Sequence, residues 1–251
     1  MNQPDPQQYP ASGPPRLASS GPPGKQATIG RLAALAGVGF LMAALAGELV
    51  IGPFPRPDTP TSQLVSFYNA HHAQVQLGGI LLAISGVFFV LLGTAVWARI
   101  QQRAANSLLA GLAMIGTALV AVTTLATAGV YGVLGDIGGQ HAIAPAALQA
   151  WHIMGSDGSL ADSASTFLFL IAVAGAGILA TAMPRWLAWS ALVLAILQLL
   201  PDQVGFLASL VILAWTAAAG ISMLFARQAR AAEPGLAQRP PARSMTGSPA
   251  T

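Results

Sequence analysis

The chain has 251 residues, of which 54% are hydrophobic and only 8% charged, with a formal net charge of +3. Soluble proteins carry about 25% charged residues, so this chain lacks the surface that a water-soluble fold needs and suits lipid instead. Its basic residues are scattered rather than gathered into a patch, which excludes a nucleic-acid footprint, and it has no cysteine for disulfides, thiolate metal sites or a cysteine nucleophile.

Residues 1–28 are rich in Pro, Gly, Ser and Gln. They hold too few large apolar groups to offset ordering entropy, and a disordered tail is expected. Spanning a hydrocarbon core of about 30 Å takes roughly 20 apolar residues in a helix. Six segments meet that need: Ile29–Ile51, Gln76–Ala98, Ser107–Val133, Leu160–Met183, Pro184–Leu200 and Val204–Phe225. Each must be helical, because lipid offers no partner to an unpaired backbone amide. The fifth is the shortest. It ends at Pro201, where Pro201-Asp202-Gln203 makes a polar turn into the sixth. Residues 226–251 read as a second disordered tail.

Leu32–Ala46 also has the look of a signal-peptide core, with Ala44-Leu45-Ala46 as a small-residue cleavage motif. The long preceding tail and the apolar run on through Ile51 favour a retained helix. Between the first two spans, Thr61 and Ser62 offer an N-cap. Leu64, Phe67, Tyr68, His71 and Val75 then recur at helical spacing, predicting a short external amphipathic helix that runs into the second span. A second such helix is expected after Pro145, carrying Leu148, Trp151 and His152. Ser159 with Asp162 has the form of a capping box opening the fourth span.

Alternating sides from the N-terminus puts Arg16, Lys25, Arg31, Arg99, Arg103, Arg185, Arg227, Arg230, Arg239 and Arg243 on one side and Arg56 alone on the other. The positive-inside rule makes the first side cytoplasmic. The expected protein is thus an all-α, multi-pass bundle of the plasma (inner) membrane with both termini cytoplasmic. The lipid bilayer is its first partner. A protein partner is left open, and no nucleic acid is expected.

Chemistry-bearing residues are few. Adjacent His71 and His72 point about 100° apart on a helix, His141 and His152 lie in separate elements, and no HExxH is present. No metal and no cofactor are expected. Phosphate loops and a GxSxG elbow are absent, so no catalytic residue is assigned. Glu48 is the one ionisable residue within a clear apolar run, and intramembrane carboxylates are costly and often functional. With Gln198 and Asp202, at the same end of the last hairpin, it forms the candidate ligand-binding set.

The stretches Ser66-Phe-Tyr-Asn-Ala-His-His72 and Met183-Pro-Arg-Trp-Leu-Ala-Trp189 resemble motifs of a domain-of-unknown-function family of multispan bacterial membrane proteins, frequent in actinobacteria. The resemblance would cover roughly residues 29–225. It implies a six-helix bundle and supplies no catalytic residue. The sequence therefore points first to a non-enzymatic accessory or scaffold subunit. The alternative is a small-molecule or lipid transporter or binder with an outward-facing polar pocket.

Topology is directly testable. Reporter fusions at Arg103 and Arg230 are expected to read as cytoplasmic and one at Gln140 as external. External labelling of a cysteine placed at Gln101 in intact cells would overturn the six-span arrangement.

Overall fold

The computed structural model describes residues 23–103, 107–140, 144–157, 159–179, 181–200 and 202–231. Among them there are seven helices and no strand: α1 Pro23–Ile51, α2 Thr61–Arg103, α3 Ser107–Gln140, α4 Pro145–Asp157, α5 Ser159–Leu179, α6 Arg185–Leu197 and α7 Asp202–Ala231. Five of these, α1, α2, α3, α5 and α7, are long and apolar enough to cross a membrane. The chain is of the multi-pass membrane class. α1 and α7 reach into stretches that the sequence assigns to the tails; residues 1–22 and 232–251 lie outside the described residues.

Two elements differ from expectation. The external helix before the second span is not a separate surface helix. α2 runs unbroken for 43 residues, about 64 Å at 1.5 Å per residue. No proline interrupts it, and its Leu64–Tyr68–Val75 stripe packs on α3 and α4 rather than on a bilayer surface. The other difference is the expected fifth span, which forms only the 13-residue α6, about 20 Å long and short of a full core. At its end Leu199 N–H bonds Ile196 O at 3.1 Å and Leu200 N–H bonds Leu197 O at 3.2 Å. These tighter three-residue bonds close the helix before Pro201.

The surface of α2 marks where lipid ends. From Ser62 to Gln76 its exposed residues are polar or small, among them Gln63, His72, Gln74 and Gln76. From Leu77 onward they are large and apolar, with Leu77, Ile80, Ile84, Val87 and Leu91 facing out. The last exposed large apolar residue of α3 on that side is Leu125. Beyond this level α2 and α3 project together. They are bracketed by residues 52–60 and by α4, and they enclose a small core of Leu64, Tyr68, Val75, Leu134 and Leu148. At the opposite end Arg99 Nε donates to Ala182 O at 2.8 Å, tying α2 to the α5–α6 turn. Arg56 thus sits at one end of the bundle, and Arg99, Arg103 and Arg185 at the other.

Within the bundle α1 lies between α2 and α7, α2 beside α3, α3 beside α5, and α5 beside α6, with α6 meeting α7 over a short stretch. Glycine sets several of these approaches. A Cβ on Gly220 would stand 2.4 Å from the Ala33 carbonyl oxygen of α1, and one on Gly37 would stand 2.6 Å from the Thr216 oxygen of α7. Small residues let backbones meet this closely where lipid gives no hydrophobic drive to associate. Gly52, at φ 71°, ends α1 by bonding Glu48 O at 3.0 Å, a left-handed conformation that glycine adopts without strain.

Gly220→Val is expected to lower thermal stability in detergent by about 1–3 kcal/mol, the usual range for overpacking. Gly129→Ala is the contrast. Its Cβ would meet nothing within 4 Å, so it should be neutral or slightly stabilising in the same melt.

Candidate functional site

The projecting end of α2 and α3 is fixed by polar side chains from separate connections. Tyr68 of α2 is fully buried, as is His152 of α4. The Tyr68 hydroxyl lies 2.9 Å from His152 Nδ1, and His152 Nε2 lies 3.1 Å from the Arg56 carbonyl. A carbonyl oxygen only accepts, so Nε2 carries hydrogen. In the neutral ring Nδ1 then accepts from the phenol. Phe54 stacks on the same imidazole at 5.1 Å and 25°. Thr61 Oγ1 donates to Gln149 Oε1 at 2.6 Å, and Gln76 Nε2 donates to Asp136 Oδ1 at 3.0 Å. One histidine thus joins α2, α4 and the α1–α2 connection.

Beneath this cap lies a partly open cavity of about 430 Å³. Each long helix lends it one face at three- or four-residue spacing: Phe40, Ala44 and Glu48 of α1; Leu82, Ser85 and Phe89 of α2; Val120 and Thr124 of α3; Asp162, Thr166 and Phe169 of α5; Ser209, Ile212, Leu213 and Thr216 of α7. Gln198 joins from the end of α6, and Tyr131 and Gly155 from the cap side. Phe89 packs against Phe40 at 5.1 Å and against Phe169 at 5.0 Å, and these three rings form the floor. No lining residue lies farther toward the Arg99 end than Phe40, Phe89 or Phe169 on those helices. That half is filled by Ala33, Ala36, Leu92, Val96, Ala113, Val173 and Leu187. Glu48 stands eight residues above Phe40, which gives a depth of about 12 Å.

Most hydroxyls on the wall are already occupied. Ser85, Thr124 and Thr216 donate to backbone oxygens of their own helices at 2.7, 2.8 and 2.7 Å. The deep wall is therefore apolar in effect, and polar demand collects at the capped end. There the Glu48 carboxylate makes no hydrogen bond among the described residues, and the residue remains exposed while lining the cavity. Asp162 Oδ1 accepts from Thr123 Oγ1 of α3 at 3.2 Å. One turn deeper Thr166 is only 7% exposed. Its hydroxyl has no partner among the described residues, although no fully buried side-chain oxygen there is left unpaired; it opens on the cavity.

Neither the chain's sequence nor its structure matches a known relative: no family model, curated protein or solved structure was found. Function has to be argued from the site itself.

Of the sequence-derived set, the structure brings Glu48 and Gln198 to one cavity. Gln198 Oε1 accepts from Ser163 Oγ and its Nε2 donates to Ser209 Oγ, each at 3.4 Å, bridging α5 and α7. Asp202 opens α7, and its side chain lies outside the described residues. Asp162 and Thr166 escaped the sequence reading, which gave Asp162 a local capping role. Their four-residue spacing was the available signal. Among the described residues no three His, Asp or Glu converge as metal ligands. His71 Nδ1 donates to Phe67 O at 2.9 Å while its ring stacks on Phe67, and His72 Nδ1 lies 3.2 Å from Asn69 O. His141 lies outside the described residues.

Tyr68→Phe removes the donor to a fully buried imidazole nitrogen. It is expected to cost about 1–3 kcal/mol, the usual penalty for a buried unpaired acceptor. The melt of His72→Ala, at an exposed site, should stay at the wild-type value.

Proposed function

We propose that this chain is a membrane-embedded binding protein for a small amphipathic molecule, held in the half-bundle cavity beneath α4. The observation that carries this reading is the cavity itself: about 430 Å³, aromatic at its floor, with Glu48 and Asp162 from separate helices at its other end. Ligand pockets are of this size and make-up, mostly apolar with a few convergent polar groups. A purely structural subunit gains nothing from such a void. Interiors pack densely, and a gap of this size forfeits contacts throughout its wall. The accessory-subunit expectation has no comparable observation behind it.

In this reading α6 with its terminal turn completes a sixth crossing, shortened where Gln198 turns into the cavity. The Arg99–Arg103–Arg185 end faces the cytoplasm, as the positive-inside rule favours, and both termini lie there. The cavity then opens toward the outer face of the plasma membrane.

Mass spectrometry of the protein taken from native membranes in mild detergent is expected to find a bound small molecule. Ala44→Trp and Thr124→Trp each fill the cavity from a different helix, and both should abolish its retention. A preparation free of bound molecules, whose melting no added small molecule shifts, would refute the binding role.

A further inference from the structure

The cavity is a one-signed site. Glu48 and Asp162 both line it, and among the described residues no Lys, Arg or His does. A carboxylate shielded from water needs a partner, and an unpaired one is strongly disfavoured. Asp162 has the Thr123 hydroxyl at 3.2 Å, which leaves its other oxygen without a partner among the described residues. The Glu48 carboxylate, though exposed, has no hydrogen-bond partner among the described residues. Thr166 adds an independent observation: a side chain more than nine-tenths buried, whose hydroxyl is unpartnered and open to the same space. The described lining thus lacks one thing, a positively charged hydrogen-bond donor.

Resting on the binding role argued above, we infer that the ligand is a single-tailed organic ammonium cation. Its charged nitrogen lies at the Glu48–Asp162–Thr166 level, and its apolar tail points toward Phe40, Phe89 and Phe169.

The alternatives fit less well. An anion would enter a site with two carboxylates and no counter-charge, at a low dielectric where repulsion is strongest. An inorganic cation would need six to eight oxygen ligands and would leave the aromatic floor about 12 Å below unused. A neutral amphiphile would satisfy the floor but leave both carboxylates uncompensated. An ammonium with a tail answers both ends: its N–H groups donate to carboxylate and hydroxyl oxygens, charge-assisted and therefore strong. Its tail meets walls whose hydroxyls are already bonded to their own helices.

The test uses the full chain in phosphatidylcholine nanodiscs and three probes sharing one skeleton: phenylbutylammonium, phenylbutanol and phenylbutanoate. Saturable binding is measured by calorimetry. The ammonium is expected to bind roughly ten- to hundredfold more tightly than the alcohol, the worth of a charge-assisted hydrogen bond, and the carboxylate most weakly. Asp162→Asn and Glu48→Gln should each reduce that ammonium-over-alcohol ratio about tenfold. Thr166→Val should lower ammonium affinity by a smaller factor. The order of the three probes on the unaltered protein does not depend on any variant folding.

If the alcohol or the carboxylate binds as tightly as the ammonium, or if neither acid substitution changes the ratio, the cation assignment fails while the binding role stands. If no probe binds saturably and Ala44→Trp changes nothing, both fail.

Discussion

Close backbone approach at glycine is the constraint on which this bundle depends, and where it operates decides where the bundle opens. α1 and α7 meet through Gly30, Gly37 and Gly220, all toward the Arg99 end. α5 and α6 meet through Gly177 against Ala188 on that same half. Toward the capped end the close approaches join different pairs: Gly47 and Gly78 between α1 and α2, and Gly79, Gly135 and Gly138 between α2 and α3. One half is drawn together across α7–α1 and α5–α6. The other is drawn together only within α1–α2–α3. α3 still meets α5 there through Thr123 and Asp162, but the trio parts from α7, and the cavity occupies the gap. Packing of this kind replaces the hydrophobic drive that lipid does not supply.

The cap answers a separate problem. Helices as long as α2 and α3 leave the apolar belt at about Leu77 and Leu125, and beyond it water competes for every polar group. A second small core, with the fully buried His152 at its centre, keeps the projecting ends paired. Its hydrogen bonds run from side chain to side chain and from side chain to backbone across three elements, so α4 is held where Gly155 closes over the cavity.

The spans were legible because lipid leaves the sequence little freedom. An apolar run of roughly twenty or more residues, such as the one ended by Gly52, has few other readings. The shorter run before Pro201 formed only α6. The α2 projection was not legible in the same way. The stripe Leu64, Tyr68 and Val75 has the spacing of any amphipathic helix, and nothing in it says whether the apolar face meets lipid or protein. Glu48 stood out because a carboxylate in an apolar run is rare. Asp162 did not, because an acid three residues after Ser159 has an ordinary local use at a helix start. Only the placement of α5 beside α3 shows its second neighbour, Thr123, and the void it borders. Gln198 drew notice by its position near a turn, yet its bridge from Ser163 to Ser209 depends on how α6 ends.

The floor of three rings has a vectorial consequence. Phe40, Phe89 and Phe169 come from three helices, and each of their two contacts is worth about 0.5–1.5 kcal/mol beyond burial. Below them alanines and branched chains fill the bundle to its other end. In the binding role proposed above, a molecule held here would meet these rings rather than a through-path. Its occupancy would then report the concentration on one side and open no leak through the membrane. Passage across would require α1, α2 and α5 to separate at mid-bundle, against the ring contacts that join them. The fold described is that of a cul-de-sac with one address.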